Sequence, residues 1–88
     1  MRSLGLDKTV VKELSELPAK QYRQVVSAIF DLLKDPLPYY SRPLSGSAYL
    51  RIAVGEYRVI YRFDDRSVTV LAFGKRNDGE IYQVLKKN

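Results

Sequence analysis

The chain has 88 residues, of which 45% are hydrophobic and 28% charged, and it carries a net charge of +5. That is the balance of one soluble globular domain over residues 1–88, not of a disordered segment, and the basic excess points to nucleic acid, an acidic surface or an acidic protein as partner. Cys and His are both absent, which excludes a disulfide framework, a thiolate metal site and the commonest general base.

Asp7, Lys8, Lys12 and Glu13 fall where a signal peptide would need an uncharged apolar run, and no stretch reaches the length of a membrane span. The expected compartment is the cytoplasm. Residues 2–6 (RSLGL) read as a short strand, and Asp7 as a helix N-cap. Val10, Val11, Leu14 and Leu17 follow at helical spacing, which gives a first helix of about ten residues. Pro18 suits the first turn of a second helix. There Tyr22, Val25, Val26, Ile29, Leu32 and Leu33 recur at helical spacing and predict one buried stripe, ended before Pro36. The segment DPLPYYSRPLSGS, with three prolines, reads as a loop.

Beyond the loop the period changes from 3.6 to 2. Residues 48–54, 57–63 and 67–75 alternate or run apolar, and Gly55-Glu56 and Asp64-Asp65-Arg66 between them have turn composition. They predict an antiparallel meander. The last stretch, NDGEIYQVLKKN, begins with a turn and ends in either a strand or a helix. The expected fold is α+β: an N-terminal strand and a two-helix hairpin packed on one face of a small, mainly antiparallel sheet, with the other face open.

Alternation names the side chains on that open face. Leu50, Ile52 and Val54 point inward, leaving Tyr49, Arg51 and Ala53 outward. Tyr57, Val59, Tyr61 and Phe63 point inward, leaving Arg58, Ile60 and Arg62 outward. With Leu71 and Phe73 inward, Val70, Ala72, Gly74 and Arg76 are outward. Four arginines then share one surface, and the nearest acids, Glu56, Asp64, Asp65, Asp78 and Glu80, lie in turns or at element ends. A lone arginine reads as a solvated charge or a surface pair worth at most about 1 kcal/mol. Four without an intervening acid point to phosphate, whose oxygens a guanidinium fork matches bidentately. This grouping fits an enzyme or a binding surface equally. Most of the tyrosines read as core, but Tyr49 and Tyr82 are placed to stack on a base. Tyr49, Arg62 and Lys75 are the RNA-binding residues expected around the arginines. Gly74-Lys75-Arg76 lacks the spacing of a phosphate loop.

A short strand, a helical hairpin ending in LLKDP, then PLSGSAYLRIAVGEYRVIYRF and VTVLAFGKRNDGEIY together resemble the RelE/ParE superfamily of bacterial toxins over nearly the whole chain. YRVIYRF followed by GKRNDGEIY looks like the RelE branch. The resemblance implies the toxin of a type II toxin–antitoxin system, a ribosome-dependent and metal-independent endoribonuclease. Such a toxin cuts mRNA in the ribosomal A site and is held inactive by a cognate antitoxin. The implied partners are therefore antitoxin, ribosome and mRNA, with no cofactor, membrane or small-molecule substrate. By position, the resemblance matches Arg58 to an arginine on the scissile phosphate and Arg76 to a second active-site arginine. Tyr82 matches a tyrosine that orients or deprotonates the nucleophilic 2′-hydroxyl. Arg51 falls in a strand where relatives carry two lysines, whereas this chain has Arg51 and Ala53. Tyr82, with its pKa lowered by Arg51, Arg58 and Arg76, is then the expected base.

Two other readings stay open. A ParE-like toxin would inhibit DNA gyrase by binding and cleave nothing, although that branch generally lacks the arginine and tyrosine set. A non-catalytic RNA- or protein-binding module would use the same basic sheet and tolerate Arg58→Lys, which phosphoryl transfer by a positioned fork would not.

Overall fold

The computed structural model of the chain describes residues 1–75. In chain order these form strand β1 (Ser3–Leu6), helices α1 (Lys8–Ser15) and α2 (Ala19–Leu32), and strands β2 (Arg42–Pro43), β3 (Leu50–Val54), β4 (Tyr57–Phe63) and β5 (Ser67–Lys75). The strands make one mixed sheet in the order β1-β5-β4-β3-β2. β1 runs parallel to β5, and every other neighbouring pair is antiparallel. The two helices pack on one face of this sheet, as the sequence predicts. Among the described residues, no helix is long and apolar enough to cross a membrane.

Local chemistry sets the element ends. The Asp7 carboxylate accepts a hydrogen bond from the Thr9 amide at 3.2 Å, satisfying one of the orphan donors at the start of α1. α1 is two residues shorter than about ten because the chain leaves the helix at Glu16, and Leu17 packs on the core from the connection. Gly55 holds the tight β3–β4 turn with a φ of 60°, a conformation that costs an L side chain about 1–2 kcal/mol. β2 lies inside the segment read as a loop. Its pairing places Arg42 opposite Arg51 and Pro43 opposite Leu50. The prolines concealed it, yet an edge strand is where a sheet tolerates proline.

Val10 and Leu14 of α1, Val25, Ile29 and Leu32 of α2, Ile52 of β3, Tyr57, Val59 and Tyr61 of β4, and Val68, Val70 and Phe73 of β5 form the buried core. The rings of Tyr57 and Phe73 stack with centroids 5.1 Å apart. Tyr61 has no exposed surface, and its hydroxyl donates to the buried carbonyl of Pro36 at 2.7 Å. That bond ties β4 to the chain just beyond α2. Burial, foremost, pushes the Tyr61 pKa above its ordinary value, with the Ser41 hydroxyl acting in the opposite sense.

The helical stripe is narrower than its spacing predicts. Val25, Ile29 and Leu32 take its centre, whereas Tyr22 stays 43% exposed and Val11 48% exposed. Six spaced apolar positions sweep a wider arc than this sheet covers. Tyr22, Val11, Phe30 and Leu6 instead rim an open apolar groove of about 180 Å³ between β1, α1 and α2.

The third meander strand departs from simple alternation. Ile60 pairs with Ala72, but Tyr61 pairs with Val70, so Leu71 has no partner across the ladder. This β-bulge switches the parity of β5. Val68 and Val70 before it, and Phe73 after it, all face the core. The expectation that Val70 points outward and Leu71 inward is therefore corrected, while Phe73 inward and Ala72 and Gly74 outward stand. The opposite face is not bare at its centre either: Ile60, which faces away from the core cluster, has 0% exposure.

Candidate nucleic-acid interface

The register turns the open face into rows of side chains. One row runs Ala53–Arg58–Gly74, the next Arg42–Arg51–Ile60–Ala72, and the third crosses from Arg62 through Thr69 to Gly5. Arg58 thus stands between a residue with only a methyl group and one with no side chain. Its two ladder neighbours therefore add almost no side-chain bulk on either flank. Arg51 lies opposite Ile60, and so is diagonal to both Arg58 and Arg62, at a Cβ separation of roughly 7–8 Å or somewhat less. Arg58 and Arg62, four residues apart in β4, are separated by about 13 Å.

Arg51 and Arg58 are half-buried and Arg62 is exposed. No hydrogen bond or ion pair engages the side chain of any of the three among the described residues. Two unit charges about 7 Å apart repel by about 0.6 kcal/mol in bulk water and by roughly 2 kcal/mol at the effective dielectric of a protein surface. A polyanion on this face would relieve that repulsion. Asp64, the acid that follows β4, is engaged in its own turn. One carboxylate oxygen accepts from the Arg66 amide at 2.8 Å, the Ser67 amide at 2.8 Å and the Ser67 hydroxyl at 3.2 Å. The two amides, the Arg66 one foremost, hold the Asp64 pKa below its ordinary value.

The structure brings Arg51, Arg58 and Arg62 together as the alternation predicts. Tyr49 lies just ahead of β3, half-buried, with its amide donating to the Ser47 hydroxyl at 3.2 Å and its carbonyl accepting from the Leu44 amide at 3.0 Å. Lys75 is not part of the group. It pairs with Tyr57 at the end of β5, so the pleat puts it on the same face as Phe73, the helix side. Arg76 and Tyr82 lie outside the described residues. Of the described tyrosines only Tyr57 and Tyr61 are buried; Tyr22, Tyr39 and Tyr40 are exposed, which corrects the expectation that most are core.

Sequence reasoning missed Arg42, which β2 places opposite Arg51. Like charges facing across a ladder are destabilising, and the Arg42 guanidinium turns to donate to the carbonyls of Tyr39 at 3.1 Å and Ser41 at 2.9 Å. It adds positive charge to the rim of the face. Thr69 was also missed, although SVTV alternation before the bulge marks it as outward. Among the described residues, no cluster of three or more carboxylates stands ready to hold a metal ion. Chemically, the face offers fixed guanidinium donors on a shallow surface, suited to phosphodiester oxygens.

Comparison with known proteins places these features. A family model described as the ParE toxin of type II toxin–antitoxin systems matches residues 5–79. The archaeal RelE–RelB complex from Pyrococcus horikoshii contains a chain 28% identical, with 89% of this chain and 98% of that one covered and a TM-score of 0.75. The RelBE2 toxin–antitoxin complex from Mycobacterium tuberculosis gives 29% identity, coverage of 85% and 98%, and a TM-score of 0.72. A mutant of the Escherichia coli toxin RelE in the free state gives 22% identity, coverage of 98% and 96%, and a TM-score of 0.81, a likeness of fold. No curated protein matches the chain.

Proposed function

We propose that this chain, which belongs to the ParE toxin family of type II toxin–antitoxin systems, arrests growth by cleaving mRNA on the ribosome, as a toxin of the RelE branch. The observation that carries the proposal is the row Ala53–Arg58–Gly74. A half-buried guanidinium with small neighbours on both sides leaves room for a phosphodiester to seat directly on the fork.

The reaction is internal phosphoryl transfer. The 2′-oxygen of the RNA attacks phosphorus, the bond from phosphorus to the 5′-oxygen breaks, and a 2′,3′-cyclic phosphate and a free 5′-hydroxyl result. The 2′-hydroxyl proton passes to a base, and the departing 5′-oxygen takes up a proton. Negative charge builds on the non-bridging oxygens in the transition state. Arg58, with Arg51 beside it and Arg76 as the matched second arginine, stabilises that charge, and losing one such donor typically costs about 100- to 1000-fold. Arginine is a poor base, because a pKa above about 12 keeps it protonated. Tyr82 is assigned that role, its ionisation favoured by the arginines. A site with no strong base gains from a substrate that another scaffold has already bent into line, which is the physical reason for working on the ribosome.

The cognate antitoxin is the proposed protein partner, in line with the toxin–antitoxin complexes among the similar structures. The cytoplasm, where translation takes place, is the proposed compartment. The family model that matches is the ParE one, so gyrase inhibition is the second reading. One experiment separates them: the purified chain is added to a translating extract and mRNA ends are mapped by primer extension. Cuts at the A-site codon, absent on naked mRNA and lost in Arg58→Ala, support the nuclease, and Arg58→Lys is expected to lose about 100-fold or more. Intact mRNA with inhibited supercoiling by gyrase would establish the second reading instead.

A further inference from the structure

At the turn end of β4 and β5, a concavity of about 420 Å³ is lined by Arg62, Phe63, Asp64, Ser67 and Thr69. It lies apart from Arg58, since four residues of strand separate the two arginines by about 13 Å. One phosphate cannot bridge that distance. Arg62 is exposed, and its side chain makes no hydrogen bond or ion pair among the described residues. Across the ladder from it stands Thr69, and beyond Thr69 is Gly5. A Cβ at Gly5 would sit 3.6 Å from the Thr69 hydroxyl oxygen. With glycine there, that hydroxyl stays uncovered on the β1 side. The Asp64 carboxylate is the one acid among these lining residues, and its three hydrogen bonds draw it into the β4–β5 turn. Arg2 adds a second cation at the same end, its Nε donating to the Asp64 carbonyl at 2.6 Å.

We infer that Arg62, with the Thr69 hydroxyl, forms a second phosphate subsite, which holds the RNA backbone at a position flanking the one that is cut. The inference rests on the reading of this face as an RNA surface. A guanidinium and a neighbouring hydroxyl in a shallow polar concavity recognise phosphate oxygens and carry no base readout. The described lining offers no base a stacking platform, because Phe63 packs against the core and carries the Arg2 guanidinium 5.5 Å from its ring centroid. The subsite sets how the strand lies across the sheet, so Arg62 acts as a positioning residue.

The test measures binding of a single-stranded oligoribonucleotide, made uncleavable by 2′-deoxy substitution, to the purified chain over a range of salt. Each phosphate contact to a single strand contributes about 0.7 to the slope of log affinity against log salt. Arg62→Gln is expected to lower the slope by about 0.7, so that raising salt from about 50 to 200 mM costs the variant roughly 2.6-fold less affinity than the unaltered chain. Replacing single phosphates by uncharged methylphosphonates locates the contact: one position weakens binding to the unaltered chain and has no further effect on Arg62→Gln. Thr69→Val should weaken binding with the slope unchanged. An unaltered slope in Arg62→Gln, no methylphosphonate position coupled to Arg62, or no RNA binding by the unaltered chain at low salt would each overturn the inference. Failure of the nuclease reading shows separately, as intact mRNA in the extract, because this binding assay needs no cleavage.

Discussion

Replacing Tyr61 by Phe removes one oxygen atom from the centre of the domain and keeps the ring that fills the core. The side chain has no exposed surface, and its hydroxyl reaches the Pro36 carbonyl at 2.7 Å. Phe leaves that buried carbonyl without this donor, and an unsatisfied buried polar group costs about 1–3 kcal/mol. At roughly 2.1 cal/mol/K per residue, a chain of this length unfolds with an entropy of about 185 cal/mol/K near 60 °C, so each kcal/mol is worth about 5 °C. Thermal unfolding followed by circular dichroism at neutral pH should show a Tm lower by about 5–16 °C. The pH dependence supplies a second arm. In the unfolded chain Tyr61 ionises near its ordinary value, about 10, while in the folded chain its pKa is raised by burial first of all. The stability linked to this group is complete below about pH 10 and is lost as pH rises through the higher folded value. The Phe variant has no such loss, so the gap between the two proteins should close above about pH 10. A fall in Tm well short of about 5 °C, or a gap that stays constant at alkaline pH, would refute the assignment of β4's anchorage to this bond.

Gly55→Ala should lower stability by about 1–2 kcal/mol in urea unfolding at constant slope, because φ at this position is 60° and nothing lies within 4 Å of an added Cβ. The whole loss then comes from the backbone, and an unchanged midpoint would contradict it. Asp64 titrates in the opposite sense to Tyr61. Its folded pKa is lowered, chiefly by the Arg66 amide, so its contribution is present above its ordinary value and is lost as pH falls through the folded one. Acid unfolding of Asp64→Asn should therefore be flatter below about pH 4 than that of the unaltered chain; identical acid profiles would count against the turn's hydrogen bonds.

How far the sequence was legible depended on whether a face had one chemistry. In β4, arginines alternate with core residues, so its parity could be read directly and Arg58 and Arg62 were placed on the right side. In β5 both faces are apolar, and no alternation rule shows that Leu71 is extra. That bulge moved Val70 into the core and left Leu71 without a partner across the ladder. Helical spacing correctly ranked Val25, Ile29 and Leu32 as buried but carried no information on how wide a stripe the sheet would cover, which left Tyr22 exposed. β2 was invisible because two residues of edge strand beside prolines look like loop, and Arg42 was missed with it. Arg76 and Tyr82 lie outside the described residues, so their part of the site rests on resemblance.

The parallel pairing of β1 with β5 has a consequence for synthesis. Ser3 donates its amide to the Arg66 carbonyl at 2.9 Å and lies beside Ser67, so β1 stays unpaired until β5 has been made. Pairings between residues so distant in the chain are slow to form, and β4 likewise waits for β5 to supply Thr69 and Gly74 beside its arginines. A chain interrupted anywhere before residue 67 therefore leaves β1 without its partner and the open face without its β5 side. The two rows that include Thr69 and Gly74 exist only in a copy translated through β5.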